Sequence, residues 1–275
     1  MIQWYPGHMA KAKKEIEERL KLVDIVFELV DARIPYSSKN PVVSDILQSK
    51  PKLLLLTKCD LADSNLTKQW AKHYSNQGYR VLEIDSISGF NLKKIVHECQ
   101  AALSEKLARE KAKGMLVRPI RSMIVGIPNV GKSTLINALV NKRTLEVADR
   151  PGVTKAQQWV RINKDLDLLD TPGVLWPKFE DQTVGMHLAL TGAIKEAILK
   201  NTTLFEYLVG FLREFYPEAM TKRYDLSADL PLGAIIDGIA DRRGIKAVDY
   251  QDRAMDLFLK DFKDGRLGKI TLDRF

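Results

Sequence analysis

The run Gly126-Ile127-Pro128-Asn129-Val130-Gly131-Lys132-Ser133 has the spacing G-x-x-x-x-G-K-S, follows the apolar stretch Ser122–Val125 and opens a helical pattern. Those residue types in that order cradle phosphates. The glycines let the backbone wrap closely around anionic oxygens, and the amides of Asn129, Val130 and Gly131 face the negative charge. Lys132 reaches the β- and γ-phosphates, Ser133 offers its hydroxyl to Mg²⁺, and Thr134 follows it on the same helix start.

Downstream, Leu168-Leu169-Asp170-Thr171-Pro172-Gly173 places an acid at a strand end and a glycine shortly after it. Asp170 is expected to hold Mg²⁺ and Gly173 to sense the γ-phosphate. Between these motifs lies the polar, turn-rich segment Asp149–Thr154, with Thr154 as a further hydroxyl for the metal. Base choice rests on Thr57-Lys58-Cys59-Asp60, which ends an apolar run and matches the pattern N/T-K-x-D. The Asp60 carboxylate can accept from both N1–H and the exocyclic amine of guanine, whereas adenine presents an acceptor at N1. The Lys58 stem would cover the base plane. Ser86 and Ile87 stand where a second base-contacting loop belongs, with Ile in place of the usual Ala. The ligand is therefore read as GTP or GDP with Mg²⁺.

Six apolar runs of strand length position these motifs: Asp24–Val30, Lys52–Leu56, Arg80–Ile84, Ser122–Gly126, Gln158–Ile162 and Leu166–Leu169. Helical patterns lie between them, at Leu66–Gln77, Leu92–Arg109 and Lys132–Val140. Alternation of this kind predicts an α/β fold with a mostly parallel, doubly wound sheet. The base-recognition motifs precede the phosphate loop, whereas Ras-type GTPases carry them after it, so the order is circularly permuted. The join would fall near Leu107–Arg121, a basic stretch that reads either as a solvated helix end or as a phosphate-facing surface. After Pro177 only helical patterns remain, at Thr183–Leu199, Thr203–Phe215, Leu232–Arg243 and Asp252–Lys263, with Gly244 and Gly265 at C-cap positions. Residues 1–177 are thus expected to form the nucleotide-binding domain and residues 178–275 an all-α domain.

The chain has 275 residues, enough to bury a substantial core, and carries a formal net charge of +8. The charge favours an anionic partner such as nucleic acid. The only cysteines, Cys59 and Cys99, have no metal-ligand spacing and fit a reducing compartment. No apolar run reaches membrane-spanning length and the first residues lack the pattern of a secretory signal, so the expected location is the cytoplasm. No heptad pattern points to a dimer, and a monomer is expected.

Four strings together resemble the YlqF-type group of circularly permuted bacterial GTPases, the ribosome biogenesis GTPase A family: Trp4–Ala12, Asp31-Ala32-Arg33-Ile34-Pro35, the phosphate loop with Pro128-Asn129, and Asp170–Pro177. The resemblance runs the whole chain. It implies GTP hydrolysis, maturation of the large ribosomal subunit, and contact of the C-terminal helical domain with ribosomal RNA rather than with DNA or a membrane. It also assigns hydrolysis to His8, since Val174 stands where Ras-like enzymes carry a water-positioning glutamine. Asn129 resembles the asparagine of potassium-dependent GTPases; the simpler reading is that it closes the loop turn. Basic sets at Arg242, Arg243 and Lys246, and at Lys260, Lys263, Arg266 and Lys269, are candidate RNA surfaces or solvated faces. A nucleotide-gated RNA scaffold or sensor, and a GTPase acting on tRNA or the small subunit, are the competing functional readings.

Overall fold

The computed structural model describes residues 14–47, 50–116, 118–140, 159–171, 173, 175, 181–194 and 199–275. Helix α1 (residues 14–20) leads into β1 (Ile25–Asp31), α2 (Pro41–Ile46), β2 (Lys52–Thr57), α3 (Ser64–Asn76) and β3 (Arg80–Glu83). Helices α4 (Lys94–Ala102) and α5 (Ser104–Ala112) precede β4 (Ile120–Gly126), α6 (Lys132–Leu139), β5 (Trp159–Asn163) and β6 (Leu166–Leu169). The rest is helical: α7 (Gln182–Leu190), α8 (Asn201–Phe215), α9 (Glu218–Tyr224), α10 (Leu232–Arg243) and α11 (Tyr250–Lys263).

The strands form one sheet in the order β3-β2-β1-β4-β6-β5. All neighbours are parallel except β5, which runs antiparallel to β6. Every residue of β1 is buried, as a central parallel strand covered on both faces requires, while edge strand β5 alternates exposed with half-buried positions. Winding proceeds outward from β1 through β2 to β3, and outward from β4 in the opposite direction. The crevice between the carboxyl ends of β1 and β4 is therefore the topological switch point, where open α/β sheets bind ligands. The fold is the circularly permuted P-loop arrangement that the motif order predicts.

All six predicted strands stand within two residues of their expected bounds. The helix expected over Leu92–Arg109 is instead divided at Leu103, with φ −108°. The helix expected over Thr183–Leu199 ends at Leu190: the Thr191 hydroxyl turns back to His187 O (2.8 Å), and Gly192 takes φ +76°. Gly244 and Gly265 close α10 and α11 at φ +66° and +72°, as expected. Three short helices carried no expectation, α1 being the first. Helix α2 is started by Asn40, whose side chain accepts from the Val42 and Val43 amides, and by Pro41 at the first turn; α9 begins after Pro217.

A single hydrophobic cluster runs from strand residues such as Ile25, Leu53 and Ile124 through Leu188, Leu208 and Phe258 to Leu272. The helical part thus shares its core with the sheet. The last residues then cross back as a strap. Ile270 N donates to Leu61 O (3.1 Å) and Leu272 N to Arg33 O (2.7 Å). Asp273 accepts from Ser37 N (2.7 Å) and Ser37 Oγ (2.6 Å), and lies 2.8 Å from His187 Nδ1. The Phe275 ring stacks on Trp70 at 4.3 Å.

The basic join is in part structural rather than phosphate-facing. Asp24, just before β1, binds Arg118 (2.7 and 2.9 Å), Lys106 and the Arg121 amide (2.9 Å). Among the described residues no helix is long and apolar enough to cross a membrane.

Candidate functional site

Strand β4 delivers its last residue, Gly126, against β1. A Cβ there would lie 2.9 Å from Leu29 O, so the close approach of the two backbones requires glycine. The loop then turns through Asn129 at φ +57° and Gly131 at φ +106°, and helix α6 begins at Lys132. The left-handed Asn129 agrees with its reading as a turn-former. Lys132 folds inward, its Nζ donating to Gly126 O (3.0 Å) and Ile127 O (2.9 Å). Burial pushes the Lys132 ammonium down to about 8, against the opposing pull of Asp170. A cation so placed inside a loop is ready for an anion. Ser133 and Thr134 are exposed on the first turn of the same helix.

The base-recognition loop meets this phosphate loop directly. Thr57 Oγ1 donates to Val130 O (2.7 Å) as well as to Val30 O (3.1 Å), and Lys58 Nζ donates to Asn129 O (2.7 Å). A cavity of about 280 Å³ opens beside them. Its lining brings together Thr57, Lys58, Asp60, Ser86 and Ile87 from the early part of the chain with Asn129, Gly131 and Thr134 from the later part. Asp85 shapes the second loop by accepting from the Ile87 (2.8 Å) and Ser88 (3.1 Å) amides. Burial raises the Asp60 carboxyl above the ordinary aspartate value, and the neighbouring Asp85 adds to the rise, with Arg33 and Lys269 opposing it. Donors arriving from a ligand would favour its ionised form.

Gly173 is packed against the phosphate loop: a Cβ there would stand 2.9 Å from Pro128 N and 3.1 Å from Lys132 Nζ. Asp170 is exposed at the end of β6, and its carbonyl accepts from Arg19 Nη1 (3.0 Å). His8 and Thr154 lie outside the described residues.

Several groups on or behind the cavity wall were given no role in nucleotide recognition by the motifs alone. Asp31 binds Arg33 through two oxygens (3.0 and 2.8 Å) and Lys58 Nζ at 2.9 Å. Burial alone would raise its carboxyl, yet the charges of Arg33 and Lys58 outweigh burial and hold it well below the usual range. The string Asp31–Pro35 was the available signal; its partners were not. From the helical part, Thr191, Gly192 and Lys263 also line the cavity, and Asn129 Nδ2 donates to Gly192 O (2.7 Å). Several members of the two candidate basic sets have partners within the protein. Lys263 is half-buried on this cavity, and Arg266 pairs with Asp261 (3.4 Å) and Asp264 (3.6 Å). Arg242 pairs with Asp225 (2.8 Å), while Arg243 covers the Tyr224 ring (5.2 Å).

Residues 121–209 match the family model described as 50S ribosome-binding GTPase. The ribosome biogenesis GTPase A of Bacillus pumilus is 49% identical over 99% of this chain and 98% of its own length. The mitochondrial ribosome-associated GTPase 1 of Xenopus tropicalis is 34% identical, covering 99% of this chain and 94% of its own. The GNP-bound crystal structure of YlqF from T. maritima superposes with a TM-score of 0.66 at 27% identity, over 96% of this chain and 98% of that one. At such identity over nearly the whole length, the chain belongs to the ribosome biogenesis GTPase A family.

Proposed function

We propose that this GTPase hydrolyses GTP to time its release from a precursor of the large ribosomal subunit. The observation that carries the proposal is the junction of the two loops, where Thr57 and Lys58 bond to the carbonyls of Val130 and Asn129. One nucleotide can then have its base read by Asp60 while Lys132 holds its phosphates. The names of the relatives and the 50S ribosome-binding description of the family model support the ribosomal particle and its large subunit as partner. The proposal places the protein in the cytoplasm, as a monomer, with residues 1–177 as nucleotide-binding domain and residues 178–275 as the helical domain that meets ribosomal RNA.

The chemistry is mostly positioning and electrostatics. Lys132 draws negative charge toward the loop amides, and Gly173 lies close enough to Lys132 to register whether a γ-phosphate is there. The residues fit Mg²⁺: the donors on offer are the Ser133 hydroxyl, the Asp170 carboxylate and Thr154. When bound, Mg²⁺ neutralises charge developing between the β- and γ-phosphates. His8 is assigned to orienting the attacking water. Potassium is assigned to Asn129; its amide nitrogen is engaged by Gly192 O, which leaves the amide oxygen for the cation.

That same hydrogen bond gives nucleotide state a route to the helical part. Movement of the phosphate loop pulls on Gly192, immediately after α7. Co-sedimentation with purified subunits tests the proposal. The protein should pellet with large-subunit precursors when a non-hydrolysable GTP analogue is present and leave them with GDP. A His8→Ala protein should bind GTP and stay on the particle. Equal pelleting with both nucleotides, or pelleting with the small subunit instead, defeats the reading. Equal turnover in sodium and potassium removes the cation.

A further inference from the structure

We propose that the cleft between α8 and the C-terminal strap docks a lysine- or arginine-rich polypeptide segment, independently of the nucleotide site and of the ribosomal reading. The cleft is about 630 Å³ and lies at the seam where α7, α8, the strap and the loop after β1 meet. One wall is chemically closed: Ser37, His187 and Asp273 bond to one another, and Tyr207 Oη lies 2.6 Å from His187 Nε2. Recognition falls to the remaining lining.

Arg274 supplies the first observation. Its guanidinium sits over Phe215 (4.4 Å), Tyr216 (4.9 Å) and Phe211 (5.4 Å), while its Nε and Nη2 are buried atoms with no acceptor. Buried donors without acceptors are costly. A peptide carbonyl laid across the aromatic floor would satisfy them. A nucleic-acid phosphate would too, but the rim argues against it. Glu206 and Glu214 stand two turns apart on the exposed face of α8, and Asp181 faces the same cleft from the start of α7. Neither glutamate has an ion-pair partner among the described residues. On a chain of net charge +8, this is a local reversal of sign that repels phosphates and attracts cationic side chains.

Gly210 is the second, independent observation. It lies one turn from each glutamate on the same stripe, inside a fifteen-residue helix, where glycine is less favourable than alanine. A Cβ there would meet nothing within 4 Å. The chain itself therefore gives no steric reason for the missing side chain, whereas a partner backbone passing closely over α8 does. The exposed Tyr36 and Phe215 rings flank that path and provide apolar contact for leucine-sized side chains.

The test uses the full chain and a labelled short synthetic peptide alternating lysine with glycine and leucine, read by fluorescence anisotropy. An acetyl-lysine twin of the peptide and a short single-stranded RNA serve as competitors. The lysine peptide should bind, and its acetylated twin should bind about tenfold more weakly. Glu206→Gln with Glu214→Gln should weaken binding by about tenfold. Gly210→Ala should weaken it by about fivefold while raising the thermal midpoint by about 2 °C, which separates loss of docking from loss of folding. Absence of binding, equal binding of the acetylated peptide, indifference to these variants, or displacement of the peptide by RNA would each overturn the proposal.

Discussion

Two buried aspartates bracket the central strand and meet different fates. Asp24 precedes β1 and gathers Lys106, Arg118 and the Arg121 amide; Asp31 ends β1 and gathers Arg33 and Lys58. Both are held well below the ordinary carboxylate range, burial opposing and the cationic partners prevailing. Their positions on the sheet give them different work. Asp24 lies at the amino end of a parallel strand and fastens the join that permutation created. Asp31 lies at the carboxyl end, where ligands bind, and aims Lys58 at the phosphate loop.

The sharpest way to break this comparison is to neutralise each aspartate. Asp31→Asn should cost about 3–5 kcal/mol of stability, because it leaves Arg33 buried without its charge partner. It should also weaken GTP binding by releasing Lys58. Asp24→Asn should cost only about 1–2 kcal/mol, because Lys106 and Arg118 are 40% and 39% exposed and solvent screens them. It should leave GTP affinity unchanged. Denaturant titration and nucleotide binding on the two variants measure both effects; equal loss of affinity would erase the distinction. Both carboxyls are depressed, so their stabilisation is present above the unfolded value of ~3.9 and is lost as pH falls toward their folded values.

Gly173→Ala sharpens the functional end. Its Cβ would press on Pro128 N at 2.9 Å, so GTP turnover should fall at least about tenfold while GDP affinity holds. Single-turnover hydrolysis beside a GDP titration separates the two. Lys132 gives the next effect. Its folded value near 8 lies below the unfolded lysine value, so in the nucleotide-free protein its contribution to stability rises with pH between those limits. Phosphates favour the charged form, so GTP affinity should fall as pH rises through 8, by up to about tenfold per unit. A pH-independent dissociation constant from 7 to 9.5 would contradict the buried cation.

Much of this was legible in the residues. The inner strands announced themselves because parallel strands covered on both faces read as unbroken apolar runs, and Gly126–Ser133 carries its own geometry. The short α2 and α9 escaped because six or seven residues give too little periodicity, although Asn40-Pro41 offered a start signal. The Asp31–Arg33–Lys58 grouping escaped for a different reason. Arg33 also donates to Lys263 O (3.1 Å), a contact across 230 positions that no local pattern encodes. Distance in sequence likewise hid the strap and the place of Lys263 on the cavity wall.

The smallest effect concerns the seam between the loops. Thr57→Val keeps the shape but removes the donor to Val130 O, and should cost about 1 kcal/mol in GTP binding with little change in fold.

Competition for labelled GDP bears most directly on the proposal that one nucleotide has its base read by Asp60 while Lys132 holds its phosphates. GTP should displace the label from the native protein at concentrations where ATP does not. Asp60→Asn should lose that preference and favour xanthosine triphosphate, whose base offers an acceptor where guanine offers an amine. ATP displacing the label as readily as GTP, or Asp60→Asn retaining the native preference, would contradict the account.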